Sequence, residues 1–126
     1  MNIPSNLKYT NDHEWILVDG NIGTIGITEY AQGELGDVVF VDIDPGLTSI
    51  TSGQNFGTIE AVKTVSELYA PVTGKVLEIN QILTNNPETI NVDPYGEGWM
   101  VKVEIENPGE LESLLDSEAY KALIGR

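Results

Sequence analysis

Along most of the chain, apolar and polar residues alternate with the two-residue period of a β-strand, and short turn signals interrupt the alternation. The stretches from His13 to Val18 and from Ile22 to Ile27 flank Asp19-Gly20-Asn21 and predict an opening hairpin. Thr28 is placed to cap a short helix from Glu29 to Leu35, with Gly36 as its stop. A strand is predicted from Asp37 to Ile43, then a turn at Asp44-Pro45-Gly46 and a polar crossing from Thr48 to Asn55. A second hairpin runs from Phe56 to Tyr69, and a strand from Lys75 to Asn80. A long polar connection follows, with turn signals at Asn85-Asn86-Pro87 and Asp93-Pro94-Tyr95-Gly96. Trp99 to Ile105 alternates again. Asn107 then caps a helical C-terminus, with Pro108 first and Glu110 in the first turn. Leu111, Leu114 and Leu115 form its apolar stripe, followed by a break near Asp116 and a short segment to Ile124. Many short strands and frequent turns predict a mainly antiparallel β fold, a sandwich or flattened barrel.

The second hairpin organises the rest. With Lys63-Thr64 at its centre, Val62 opposes Val65, Ala61 opposes Ser66, Glu60 opposes Glu67 and Ile59 opposes Leu68. Side chains alternate across a strand, so Ile59, Ala61, Ser66 and Leu68 face inward and Glu60, Val62, Val65 and Glu67 face out. Lys-Thr suits the positive φ of a two-residue hairpin turn poorly. A turn lysine is ordinarily a solvated charge. Lys63, however, is one of six basic residues, with no other between Lys8 and Lys75, and it lies between two glutamates. A fold alone has no need of that arrangement.

At 126 residues the chain is expected to form one domain, 1–126, large enough to bury a core without staples. It has no cysteine, which excludes disulfides, thiolate metal sites and thiol nucleophiles. No apolar run approaches a transmembrane length, and the first residues lack the features of a signal peptide. The formal charge of −14 repels phosphate backbones and anionic lipid. No nucleic-acid or membrane partner is therefore expected; electropositive proteins are.

Independent catalysis finds little support. The single histidine, His13, sits beside Glu14, and no serine lies in a nucleophile elbow. A lone histidine is more often structural. Metal-ligand spacing is absent, so no metal site is expected. Gly23-Thr24-Ile25-Gly26 and Gly53-Gln54-Asn55-Phe56-Gly57 lack the lysine and helix of a phosphate loop. Trp15, Tyr69, Tyr95 and Trp99 read as core or rim. The remaining chemical handle is the amine of Lys63.

Six blocks, in order, resemble the H-protein family of the glycine cleavage system. They are Tyr9-Thr10-Asn11-Asp12-His13-Glu14-Trp15, Gly26-Ile27-Thr28-Glu29-Tyr30-Ala31-Gln32 and Leu35-Gly36-Asp37-Val38-Val39-Phe40-Val41. The series continues with the fifteen residues from Glu60 to Gly74, then Asn91-Val92-Asp93-Pro94-Tyr95-Gly96-Glu97-Gly98-Trp99-Met100, and Leu111 to Leu115. The family pattern around its modified lysine usually reads Glu-Ser-Val-Lys-Ala, from which Ala61 and Thr64 are small departures. Biotin carriers look similar but typically flank the lysine with methionines, where this chain has Val62 and Thr64.

The resemblance implies a lipoyl/biotinyl-type sandwich (a barrel-sandwich hybrid) of two small antiparallel sheets, with a short internal helix and C-terminal helices. The lysine-bearing hairpin spans about 56–70 and the C-terminal helical segment about 107–124. It implies lipoic acid in amide linkage on Lys63 and a carrier with no catalytic residues of its own. The implied partners are glycine decarboxylase, aminomethyltransferase, dihydrolipoyl dehydrogenase, and a lipoate–protein ligase or lipoyl/octanoyl transferase. The loaded arm would fold back into a groove that includes Asp12, Glu14 and Glu67, three acids that offer oxygen acceptors without needing any other polar partner. A cytoplasmic, bacterial-type monomer is expected, with a mature mitochondrial form as the alternative location. Two other roles stand beside this one. A lipoyl relay to 2-oxo-acid dehydrogenases would lack glycine exchange with the decarboxylase, and an unmodified acidic adaptor would lack the acyl group.

Overall fold

The computed structural model describes residues 1–125; Arg126 lies outside the described residues. Among the described residues, nine strands form two antiparallel sheets. They are β1 (Lys8–Tyr9), β2 (Glu14–Asp19), β3 (Ile22–Ile27), β4 (Val38–Asp42), β5 (Ser49–Ile50), β6 (Asn55–Ala61), β7 (Val65–Tyr69), β8 (Gly74–Ile79) and β9 (Val101–Ile105). The larger sheet has the order β1-β2-β3-β9-β8-β5, and the smaller β4-β6-β7. This is the expected lipoyl-type sandwich.

Local chemistry explains the elements. Asp19 pairs with Ile22 across a two-residue bend, and Gly20 takes φ 62° there. Helix α1 (Glu29–Leu35) has the expected bounds, because Thr28 accepts a hydrogen bond from the Ala31 N–H and Gly36 leaves the helix at φ 81°. Apolar alternation then decides which faces turn inward. One core gathers Ile16, Ile25, Val101 and Val103 from the larger sheet with Val38, Ile59 and Leu68 from the smaller. Each such side chain contributes roughly 1.5–3 kcal/mol on burial. A second cluster joins Leu7, Tyr9 and Trp15 to Tyr120 of the last helix, α4 (Ser117–Leu123).

The structure corrects four expectations. In the lysine hairpin, Glu60 pairs with Val65, Ile59 with Ser66 and Thr58 with Glu67. The bend is therefore Val62-Lys63, and Glu60 and Glu67 are not opposite each other. The register has moved by two residues, an even step, so each side chain keeps its face. Ile59, Ala61 and Leu68 are buried as expected, while Val62 and Val65 are exposed. Second, the polar crossing contains β5, which pairs with β8 and buries Ile50. Third, the long connection holds two one-turn helices, α2 (Ile82–Asn85) and α3 (Thr89–Val92), which bury Leu83 and Ile90. Single apolar residues in polar surroundings carry no period that a sequence reading can detect. Fourth, Pro108–Ser113 is a 3-10 helix, capped by Asn107 through the Gly109 N–H. The break at Asp116 is the N-cap of α4, accepting from the Ala119 N–H.

Two glycines separate helix propensity from packing. A Cβ on Gly33, within α1, would meet nothing within 4 Å, so Gly33→Ala should stabilise the fold by about 0.5–1 kcal/mol. A Cβ on Gly74, at the start of β8, would lie 2.5 Å from the Glu104 carbonyl oxygen. Gly74→Ala should destabilise by about 1–3 kcal/mol. Urea midpoints that do not move in opposite directions for the two variants would refute this assignment.

Candidate functional site

Lys63 stands exposed in the two-residue bend between β6 and β7. Neither bend residue takes positive φ, which removes the conflict with turn chemistry that Lys-Thr posed. The bend closes through the Ala61 N–H, which donates to the Thr64 carbonyl at 2.9 Å. It is fixed from outside by the Val62 N–H, which donates to the Asp37 carbonyl at 3.0 Å. That carbonyl belongs to the corner between α1 and β4. Asn91 of α3 ties the corner together. Its Oδ1 accepts from the Val38 N–H at 2.8 Å, and its Nδ2 donates to the Gly36 carbonyl at 2.9 Å and to Gln32 at 3.0 Å. The stem of Lys63 lies against Gly36, where an added Cβ would be 3.2 Å from the lysine Cε. Among the described residues the ion pairs are Lys102–Glu78 and Lys121–Glu118, and Lys63 has none.

A groove of about 300 Å³ lies between the hairpin, α1 and the turn before β2. Ile59, Ser66, Glu67 and Leu68 form the hairpin wall, and Tyr30, Ala31, Glu34 and Leu35 the helix wall. Asp12, His13 and Glu14 close the third side. Leu35 adjoins Gly36, so the groove begins where the Lys63 stem lies. The structure brings the expected Asp12, Glu14 and Glu67 together in this one groove. Two of them already accept hydrogen bonds within the chain. Glu14 accepts from the Tyr69 N–H at 2.7 Å and from the Thr10 hydroxyl at 3.5 Å, and Glu67 accepts from the Tyr69 hydroxyl at 2.5 Å. Asp12 alone stays exposed with its carboxylate unengaged.

Burial dominates the electrostatics of the third side. Glu14 is 1% exposed, and desolvation pushes its carboxyl up to about 8, with the charge of Asp12 adding to the rise. The bonds from Tyr69 and Thr10 oppose that shift without cancelling it. Desolvation also lowers His13 below the usual histidine range, against the pull of Asp12 and Glu34. The bond to Glu67, followed by its charge, holds the Tyr69 phenol above its ordinary value. His13, expected as a structural residue, lines the groove together with Tyr30, Ala31 and Leu35, which no local motif marks as site residues. A signal existed in the spacing: Tyr30 with Glu34 and Ala31 with Leu35 lie four apart and share a helix face. Among the described residues, no group of three His, Cys, Asp or Glu side chains could hold a metal. No helix among them is long and apolar enough to cross a membrane.

Comparison with known proteins places this arrangement in company. The family model described as "Glycine cleavage H-protein" matches residues 7–126. The glycine cleavage system H protein of Bacteroides thetaiotaomicron is 55% identical over 124 residues, which are 98% of each chain. That of Staphylococcus saprophyticus is 56% identical over 125 residues, 99% of each. Among solved structures, a glycine cleavage system H protein from Mycobacterium marinum superposes with a TM-score of 0.89 at 37% identity. The match covers 98% of this chain and 100% of the other.

The raised carboxyl of Glu14 has a consequence for stability. The folded state holds this proton more tightly than the unfolded state. The stabilising effect is fully present below about 4.5 and is lost as pH climbs through about 8. Glu14→Gln mimics the neutral acid and lacks this dependence. Wild type should lose stability relative to Glu14→Gln, on the order of a few kcal/mol, between pH 5 and pH 9. Urea denaturation across that range checks it, and a constant difference would mean that Glu14 ionises as an ordinary carboxylate.

Proposed function

The chain belongs to the glycine cleavage H-protein family, and from that premise we propose that it works through lipoic acid in amide linkage on Lys63. The protein is a lipoyl carrier of the glycine cleavage system, and its partners lie within that system. In our reading it catalyses no step by itself. One observation carries the assignment to Lys63: it is exposed on a braced bend, free of ion pairs among the described residues, with its stem against Gly36, next in sequence to Leu35 of an acid-lined groove. Lys102 and Lys121, by contrast, are paired with glutamates along their own surfaces.

Lipoate supplies a disulfide on a flexible arm, through which the aminomethyl group of glycine passes from glycine decarboxylase to the tetrahydrofolate-dependent aminomethyltransferase before dihydrolipoyl dehydrogenase restores the disulfide. The residues of this chain supply the rest. The bend presents the arm, and tethering raises the local concentration of its end at each docked enzyme. Between enzymes, the groove offers apolar contacts from Leu35, Ile59 and Leu68 and keeps water from a labile cargo. The cargo carries an ammonium at neutral pH. Asp12, Glu34 and Glu67 surround the groove with negative charge, and a cation brought beside Glu14 favours its carboxylate form. The outer face of the smaller sheet exposes Phe40, Val62 and Val65 between Asp42, Glu60 and Glu67. Such a face suits partners that set basic residues around an apolar patch. The bacterial origin of the relatives supports a cytoplasmic place of work.

Incubation with lipoate–protein ligase and lipoate, followed by intact mass and peptide mapping, should find one lipoyl group, on Lys63. Lys63→Arg should fold normally and acquire none, because arginine keeps the charge without an acylable amine. A group found on Lys75 or Lys102 instead would sink the assignment. The charge of −14 should also speed docking. Screening lengths fall from ~8 Å at physiological salt to ~3 Å at 1 M. Association with glycine decarboxylase in stopped flow should therefore slow as salt is added, more than dissociation changes. An association rate independent of salt contradicts the electrostatic part of the reading.

A further inference from the structure

Helix α4 lies outside the groove and supplies none of its walls, yet one of its side chains reaches the residues that hold two of them. Tyr120 is fully buried, stacked on Tyr9 with ring centroids 4.6 Å apart and planes within 10°. Its hydroxyl lies 2.7 Å from the Thr28 hydroxyl and 3.0 Å from His13 Nδ1. Thr28 caps α1, the helix wall, by accepting from the Ala31 N–H. His13 is the tip of the turn that forms the third side. It is the sole non-glycine residue among those described with positive φ, at 65°, a conformation that needs outside support. Its ring packs between Tyr30, at 4.9 Å, and Tyr120, at 5.8 Å. The same two anchors are also joined by backbone, since the Thr28 N–H donates to the His13 carbonyl at 3.0 Å.

We propose that the Tyr120 hydroxyl is a positioning group that sets the spacing between the α1 wall and the His13 turn. The C-terminal helix thereby acts as a clamp on the arm groove. Hydrogen accounting gives the clamp a direction. The buried Thr28 hydroxyl hydrogen has one acceptor within reach, the Tyr120 oxygen. Thr28 therefore donates to Tyr120, and Tyr120 donates to His13 Nδ1. That arrangement uses every hydrogen only when the neutral ring carries its proton on Nε2. The opposite tautomer, donating to Tyr120, would leave one of the two hydroxyl hydrogens without an acceptor, which is costly. Burial keeps the ring neutral and so preserves the chain of bonds. Tyr120→Phe keeps the stack on Tyr9 and removes the tie alone.

The clamp rests on the reading of the groove as the shelter for the loaded arm, and the experiment separates the two. Uniformly ¹⁵N-labelled lipoylated protein has one histidine, so its two ring nitrogens report the tautomer directly. Wild type should show the Nε2-protonated form at neutral pH, and Tyr120→Phe a mixture. Protein loaded with glycine and glycine decarboxylase is then followed for release of formaldehyde and ammonia. Release from Tyr120→Phe should be roughly threefold to tenfold faster than from wild type, the scale of one lost hydrogen bond. Thr28→Ser keeps the hydroxyl and should release at the wild-type rate. An Nδ1-protonated ring in wild type overturns the clamp without any variant, so the test survives a Tyr120→Phe that fails to fold. Wild-type release rates in a folded Tyr120→Phe, with release from unfolded protein much faster, also overturn the clamp while leaving the shelter standing. Equal release from folded wild type and heat-unfolded protein overturns the shelter, and this inference with it.

Discussion

The side chain of Asn91 is the point on which the geometry around Lys63 depends. An exposed bend of two residues has no rigidity of its own. This one gains it because its Val62 N–H reaches the Asp37 carbonyl, and because Asn91 holds the corner containing Asp37 on both sides. One amide, more than fifty residues away in sequence, satisfies a strand N–H, a helix-end carbonyl and a glutamine within the single stretch 32–38. Such backbone groups must be paired when they are taken from water. The short helix α3 exists to deliver that side chain, and burial of Ile90 beneath it supplies the anchoring energy. Precision at Lys63 therefore comes from a segment that lies outside the hairpin.

Charge and burial divide the work at the groove. Acidic residues give the chain a formal charge of −14, whose reach screening limits to about a Debye length. Glu14 acts at contact distance in a different regime. Buried against β7, it is neutral near pH 7 and held in place by the Tyr69 N–H. A neutral acid costs less to bury than a carboxylate and ionises when a cation arrives. The groove therefore holds a buried acid whose ionisation responds to the charge placed beside it.

The two apolar clusters also have different tasks. The larger one joins the sheets and makes the sandwich. The smaller one, built on Tyr9, Trp15 and Tyr120, docks the C-terminal helix against the first strands. Aromatic rings with polar tips suit that place, since each buried hydroxyl or indole N–H must find a partner. Tyr9 donates to the Pro4 carbonyl and Trp15 to the Pro94 carbonyl, while Tyr120 meets Thr28 and His13. The cluster consequently ties distant loops together at defined points.

The sequence by itself determined what local rules decide. Period-two alternation marked the strands, Thr28 and Gly36 marked both ends of α1, and the isolated Lys63 marked the chemical handle. Alternation also settled which faces of the lysine hairpin turn inward, because parity survives an even slip of register. The register itself was decided by tertiary structure: Val62-Lys63 became the bend because the Asp37 carbonyl captures the Val62 N–H. Ile50, Leu83 and Ile90 were illegible as core, since each sits in a polar stretch with too few apolar residues to show a period, and its burial depends on a partner distant in sequence. Asp12, Glu14 and Glu67 were nameable through resemblance, but not the neutral state of Glu14, which follows from burial that no single sequence displays. His13 and Tyr120 stand 107 positions apart. No local pattern links residues at that separation; only the folded chain brings their polar atoms within hydrogen-bonding distance.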